Sequence, residues 1–289
     1  MVTNSNSNKT IITAALVGAT TLKEQNPAVP YTPEEYAKEA LKCYEAGASI
    51  VHIHARTDEG LITQNPKRYE EIIQAIKEKC PEILINITGG TGATEKERLS
   101  PIKLLLPEIC SIDTQTMNWV NINPKTKKVM YEGEYVNTFH MMIRMGRVTK
   151  RLGIRPEIEV FSENGLYNIL YIQKTYKVFV EPMHIQYVFG VVGGAPFSIQ
   201  NLAHYRAISP PESTWCVCGI AKDQFKANAC AVIEGGHIRV GLEDNIRMPD
   251  RSLAKGSFEQ VEWASKLIKM VGRQVATPDD TKQILNLRK

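Results

Sequence analysis

The feature that most constrains this chain is an eightfold alternation of short apolar runs with longer amphipathic stretches. The runs are Ile11–Val17, Ile50–His54, Ile83–Thr88, Ile109–Asp113, Glu157–Phe161, His184–Gly190, Thr214–Ile220 and His237–Glu243. Several are rich in Val and Ile at consecutive positions, as in strands covered on both faces by helices. The intervening segments carry helix start and stop signals. Thr32-Pro33-Glu34-Glu35 offers an N-cap, a proline at the first helical position and acids at the positive end of the dipole. Gly47 supplies the left-handed residue that ends that helix. Asn65-Pro66 and Thr94-Glu95-Lys96-Glu97 open the next two, and segments within 133–153, 165–177, 198–208, 223–234 and 257–271 complete the set.

Repetition of strand and helix with no break in composition predicts one closed (β/α)8 barrel over residues 10–289, preceded by a polar, disordered arm over 1–9. The competing fold is a doubly wound open sheet, whose first strand should lead into a glycine-rich phosphate turn. Gly18-Ala19-Thr20-Thr21 stands there instead, which does not match. Asn118–Tyr135, with its Asn-Pro-Lys turn and Lys-rich tip, reads as an inserted hairpin or loop after the fourth strand.

A formal net charge of +4 is too small to argue for a nucleic-acid partner, and no long apolar stretch suggests a membrane span. The N-terminal residues lack the basic start and apolar run of a secretory signal. The six cysteines are scattered without a Cys-x-x-Cys pair, as in a cytoplasmic protein with reduced thiols, and Cys216-x-Cys218 is given no metal or redox role. The stripe Met141, Met142, Met145 and Val148 reads as core packing.

Two segments carry chemistry. In Val51-His52-Ile53-His54, residues two apart on a strand share a face, so both imidazoles project together toward the barrel interior near its carboxyl end. Neutral imidazoles suit zinc and related divalent metals, though two histidines bonded to polar neighbours fit the pattern equally well. In Gly236-His237-Ile238-Arg239-Val240-Gly241-Leu242-Glu243-Asp244-Asn245, Arg239 and Glu243 share a face, and Glu243 could be a third ligand. Two imidazoles and one carboxylate leave open positions for a substrate oxygen. Asp244 has the opposite parity, but a turn at the strand end can swing it inward. A buried Arg239 needs a partner, either Asp244 or a substrate carboxylate; an ion pair that merely closes the barrel is the alternative. Thr88-Gly89-Gly90-Thr91-Gly92 and the 190–196 corner could bring backbone close to a ligand, and Thr114-Gln115-Thr116-Met117-Asn118 adds hydroxyl and amide groups at the same rim.

In this order, the motifs resemble the β-keto acid cleavage enzyme family. The matching stretches are Ile12-Thr13-Ala14-Ala15 with Gly18-Ala19; Glu45 to His54; Thr88-Gly89-Gly90; Gly153 to Glu159; Phe189 to Gly194; Gly236 to Asn245; and Gly272 to Thr277. The resemblance implies a homotetrameric (β/α)8 barrel holding zinc through His52, His54 and Glu243. It further implies that a β-keto acid reacts with acetyl-CoA, giving acetoacetate and a new acyl-CoA, as in lysine fermentation. Asp244, oriented by Arg239, would be the general base, and Thr88, Gly89, Gly90, Thr114, Thr116 and Asn118 would surround the substrate. Members that cleave an amino-bearing keto acid carry an acid just after the first strand's Gly-Ala; here that place is Thr20, with Thr21 beside it and Glu24 nearby. Two other functions compete: a metal-dependent barrel amidohydrolase, which needs no CoA, and a barrel that binds a metabolite without turning it over.

Overall fold

The computed structural model describes residues 8–123 and 126–287. In chain order its strands are β1 (Lys9–Thr10), β2 (Ile12–Val17), β3 (Ile50–Ile53), β4 (Leu84–Ile87), β5 (Ile109–Asp113), β6 (Met117–Ile122), β7 (Val129–Tyr135), β8 (Arg155–Val160), β9 (His184–Phe189), β10 (Thr214–Gly219), β11 (His237–Val240) and β12 (Gln274–Val275). Eight of them close a barrel in the order β10-β11-β2-β3-β4-β5-β8-β9, every neighbouring pair parallel. The expected (β/α)8 architecture is what the chain adopts.

Helices form where the local chemistry demands them. Thr32 and Thr94 each make a capping box, with Glu35 and Glu97 returning a carboxylate to the cap backbone. Gly47 takes the left-handed conformation at φ 114° that ends the first helix, Pro33–Ala46. Met142, Met145 and Val148 of the helix Phe139–Leu152 pack into the main core as the stripe predicts, while Met141 stays partly exposed.

Strand parity sorts the barrel into two environments. Outward residues such as Val51, Ile53, Ile85, Ile87, Ile185 and Val217 join the apolar layer under the helices. Inward residues are polar above the floor: His52, Asn86, Ser111, Glu157, Gln186 and Arg239 are all buried. The floor itself is an apolar plug of Ile11, Ile50, Leu84 and Ile109 against Ala276 and Leu285. Each such side chain, fully buried, contributes about 1.5–3 kcal/mol and keeps water out from below, leaving the polar interior open only at the carboxyl rim.

Three features depart from the expectations. Of the anticipated arm over 1–9, residues 1–7 lie outside the described residues, while Lys9 pairs with Gln274 in the small β1–β12 sheet. That sheet and the terminal helix Pro278–Ile284, neither anticipated, seal the floor. Strand β11 stops at Val240 rather than Glu243, because Gly241 turns away at φ 148° and a Cβ there would lie 2.1 Å from the Ala15 carbonyl. The insertion after the fourth barrel strand is the antiparallel hairpin β6–β7.

Candidate metal centre and active site

His52 lies on β3, beside Ala15 of β2 and Asn86 of β4, and His54 follows just past the strand end. Both rings face Glu243 on the turn after β11. His52 Nε2 lies 3.6 Å from Glu243 Oε2, and His54 Nε2 lies 3.3 Å from Oε1. One donor atom from each of the three residues can be chosen so that all lie within 4.8 Å of one another, the spacing a single divalent ion would bridge. Burial lowers the pKa of His52 to about 4, only partly offset by the Glu243 charge, so its imidazole is neutral and free to coordinate. Burial alone would raise the Glu243 carboxyl, but Arg239 and the two imidazoles hold it well below the usual range. Its Oε2 is buried without a hydrogen-bond partner. Two imidazoles, that of His52 held neutral, beside an ionised carboxylate with an unused oxygen fit zinc or a related cation.

Arg239 organises the second half of the site. It donates through Nε and a terminal nitrogen to both oxygens of Asp244, each at 2.9 Å, and reaches Glu243 Oε1 at 2.5 Å and Glu159 Oε1 at 3.3 Å. A bidentate fork of this kind fixes the carboxylate plane. Burial pushes Asp244 up to about 6, with Arg239 pulling down and Glu243 pushing up. The group is thus ionised near neutrality yet able to hold a proton, as a general base requires. On the opposite wall, Asp113 and Glu159 sit together; burial raises both, and the neighbouring Asp113 charge adds to burial in holding Glu159 well above the carboxylate range. Tyr135 of the hairpin donates to Asp113 Oδ2 at 2.7 Å.

These groups line one cavity of about 620 Å³ at the carboxyl rim, which also takes in Thr20, Thr88 and Gly90. The family model for the beta-keto acid cleavage enzyme matches residues 9–287. The chain belongs to that family. A 3-keto-5-aminohexanoate cleavage enzyme of Fusobacterium nucleatum is 42% identical over 284 residues, spanning 97% of this chain and 99% of that protein. A 3-oxoadipate:acetyl-CoA acetyltransferase of Cupriavidus necator is 30% identical, over 96% of this chain and 94% of its own length. The fold is shared with ObcA in its binary complex with oxaloacetate, at TM-score 0.73 and 21% identity, over 91% of this chain and 68% of that one.

Within this β-keto acid cleavage enzyme family member, the residues singled out from sequence divide into two groups. His52, His54, Thr20, Thr88, Gly90, Arg239, Glu243 and Asp244 meet at the cavity. Gly89, Thr114, Thr116 and Asn118, expected around the substrate, do not line that cavity. Gly89 is pressed against β5, where a Cβ would lie 2.1 Å from the Ser111 carbonyl. The Thr114 hydroxyl donates to the Glu159 carbonyl at 2.8 Å, and that of Thr116 accepts from the Asn137 amide at 2.9 Å. Asn118 lies on the hairpin opposite Glu134.

Sequence reading missed Asp113, Glu159, Tyr135 and Cys218, all on the cavity wall. The parity of β5, β8 and β10 points Asp113, Glu159 and Cys218 inward, so a strand-by-strand inspection would have found them. It also passed over Arg56, whose buried guanidinium donates to the carbonyls of Gly18 at 2.6 Å and Thr21 at 2.9 Å, holding the loop that carries Thr20.

Gly18 is needed for clearance: a Cβ there would lie 2.4 Å from Glu243 Cγ. Gly18→Ala should displace that carboxylate and weaken divalent-metal affinity by about 10–100-fold with the fold intact. Calorimetric titration of metal into the metal-free variant checks this, and an unchanged affinity would show that Glu243 is not a ligand.

Proposed function

We propose that this chain cleaves a β-keto acid by exchange with acetyl-CoA, releasing acetoacetate and a new acyl-CoA, with zinc held by His52, His54 and Glu243. The observation that carries the reading is the adjacency of two sites: a three-donor cluster closing to 4.8 Å and an arginine-clamped Asp244 on the next residue. Family membership and the acetyl-CoA chemistry named for the Cupriavidus necator relative support it.

A bound cation would supply electrophilic stabilisation for the negative charge that develops on the keto-acid oxygens. The remaining steps belong to the protein. Asp244 removes a proton from the carbon between keto and carboxylate groups, its basicity set by burial against Arg239. That carbon adds to the thioester carbonyl and CoA leaves as thiolate. The thiolate attacks the original keto carbon, the carbon–carbon bond breaks, and Asp244 returns its proton to the departing carbon, giving acetoacetate. Arg239 keeps a carboxylate partner through both transfers, so no buried charge is left alone. The apolar floor keeps out water from below that would hydrolyse the thioester.

The natural substrate in this reading is 3-keto-5-aminohexanoate or a close relative. Thr20 cannot neutralise an ammonium, and Glu24, exposed on the neighbouring loop, is not on the cavity wall. Homotetrameric assembly in the cytoplasm belongs to the same proposal; among the described residues no helix is long and apolar enough to cross a membrane. The test is a panel of β-keto acids with acetyl-CoA, assayed for acetoacetate before and after chelation. Turnover should require both thioester and metal. Hydrolysis of an amide or lactone without CoA would replace this reading with an amidohydrolase, and ligand binding without any product would leave a metabolite-binding barrel.

A further inference from the structure

Beyond the polar groups around the three donors, much of the cavity wall belongs to the β6–β7 hairpin, where apolar residues predominate beside Asn121 and Glu134. Trp119, Ile122 and Tyr131 line it from the hairpin, with Val191, Val192 and Ile220 facing from neighbouring loops. The hairpin is anchored at its base. Tyr135 donates to the Gly90 carbonyl at 2.9 Å as well as to Asp113, and its ring packs 5.4 Å from that of Trp119. On the other side Gly193 closes so tightly that a Cβ would lie 2.2 Å from the Asn118 carbonyl.

From that base, the five residue steps of β6 at about 3.3 Å each carry the wall roughly 17 Å outward, a span comparable with an extended pantetheine arm. Val129, Met130 and Tyr131 are 55%, 65% and 59% exposed along the returning strand, apolar side chains that no element among the described residues covers. At the turn stand Lys127 and Lys128, both exposed, with the Lys127 amide tied to the Asn123 carbonyl at 2.9 Å. The acids of the hairpin, Glu132 and Glu134, lie lower on β7, toward the barrel, and Glu134 lines the cavity there.

A keto acid is small and its reacting groups belong among the polar side chains at the carboxyl end of the barrel, so it leaves this outer wall unused. The order of environments from the donor cluster to the tip is reactive polar groups, a largely apolar track, then paired cations. That sequence matches a thioester, a long thin amphipathic chain and a phosphorylated nucleotide. We propose that the β6–β7 hairpin is the recognition element for the CoA moiety, its apolar wall guiding the pantetheine arm and Lys127 and Lys128 meeting the phosphates. The proposal rests on the acetyl-CoA reading above and adds the place where the cosubstrate is held. Lysine suits phosphate as a mobile point charge, and at an exposed tip its contribution weakens with added salt.

The test is the double variant Lys127→Glu/Lys128→Glu, assayed with acetyl-CoA and with acetyl-pantetheine, which lacks the nucleotide and its phosphates. KM for acetyl-CoA should rise about tenfold or more, with the increase falling on the thioester and not on the keto acid. The native preference for acetyl-CoA over acetyl-pantetheine should collapse in the variant. An unchanged KM for acetyl-CoA overturns the proposal while leaving the proposed reaction intact. A change in oligomeric state by light scattering with unchanged KM also overturns it, and assigns the hairpin to contacts between copies of the chain. If the native chain shows no acetyl-CoA-dependent turnover, the functional reading fails on its own, and calorimetry with free CoA decides the hairpin separately. Tenfold weaker binding to the variant upholds the site; equal binding, or none to either protein, removes it.

Discussion

Replacing Glu243 by Gln is expected to abolish both tight divalent-metal binding and turnover. The substitution keeps the shape of the side chain but removes its charge, which Arg239 and the two imidazoles hold ionised well below the ordinary carboxylate range. A neutral amide oxygen is a poor ligand for a borderline cation beside two imidazoles. The stabilisation lost at the reacting oxygens is several kcal/mol, and at about 1.4 kcal/mol per decade this lowers kcat/KM on the order of 10³-fold or more. Metal content by elemental analysis and steady-state kinetics check the two losses together. His52→Ala should behave alike, since its Nε2 lies 3.6 Å from the same carboxylate. Full activity with no bound metal in either variant would remove the metal centre from the mechanism.

Asp244→Asn should separate binding from chemistry. The asparagine occupies nearly the same volume and can still accept from Arg239, so the loop, Glu243 and the metal donors keep their places. Arg239 also retains Glu243 and Glu159, which limits the cost of the lost charge in the interior. What disappears is the capacity to take up a proton. The expected result is a protein with native metal content and thermal midpoint whose kcat falls by roughly 10²–10⁴-fold, the range for a positioned general base. Exchange of the keto acid's acidic C–H protons for deuterium, followed by NMR, should slow in parallel. Native exchange and native kcat in this variant would show that another group moves the proton.

Much of this molecule is written in local patterns. Apolar runs at strand length, capping boxes at Thr32 and Thr94 and the glycine stop at Gly47 depend only on residues a few positions apart, and they establish the eightfold alternation. The period of a strand likewise places His52 and His54 on one face without any knowledge of neighbours. Parity failed where the backbone left the strand early. Gly241 breaks β11 at Val240, so the turn, and not strand alternation, brings Glu243 and Asp244 into the cavity together.

Closure of the barrel settled what local pattern could not. Thr114, Thr116 and Asn118 stand in a segment rich in hydrogen-bonding groups, yet neighbouring backbone claims both hydroxyls. The opposite wall, where Asp113 and Glu159 lie buried together and Arg239 reaches across from β11, exists only because strands 80 residues apart meet inside the ring. Sequence by itself determined the architecture and the chemical character of the donors, because both follow from short-range periodicity. Tertiary structure decided which donors converge, which carboxyls are charged and which wall the hairpin builds, because distance and burial between remote segments are set only when the sheet closes.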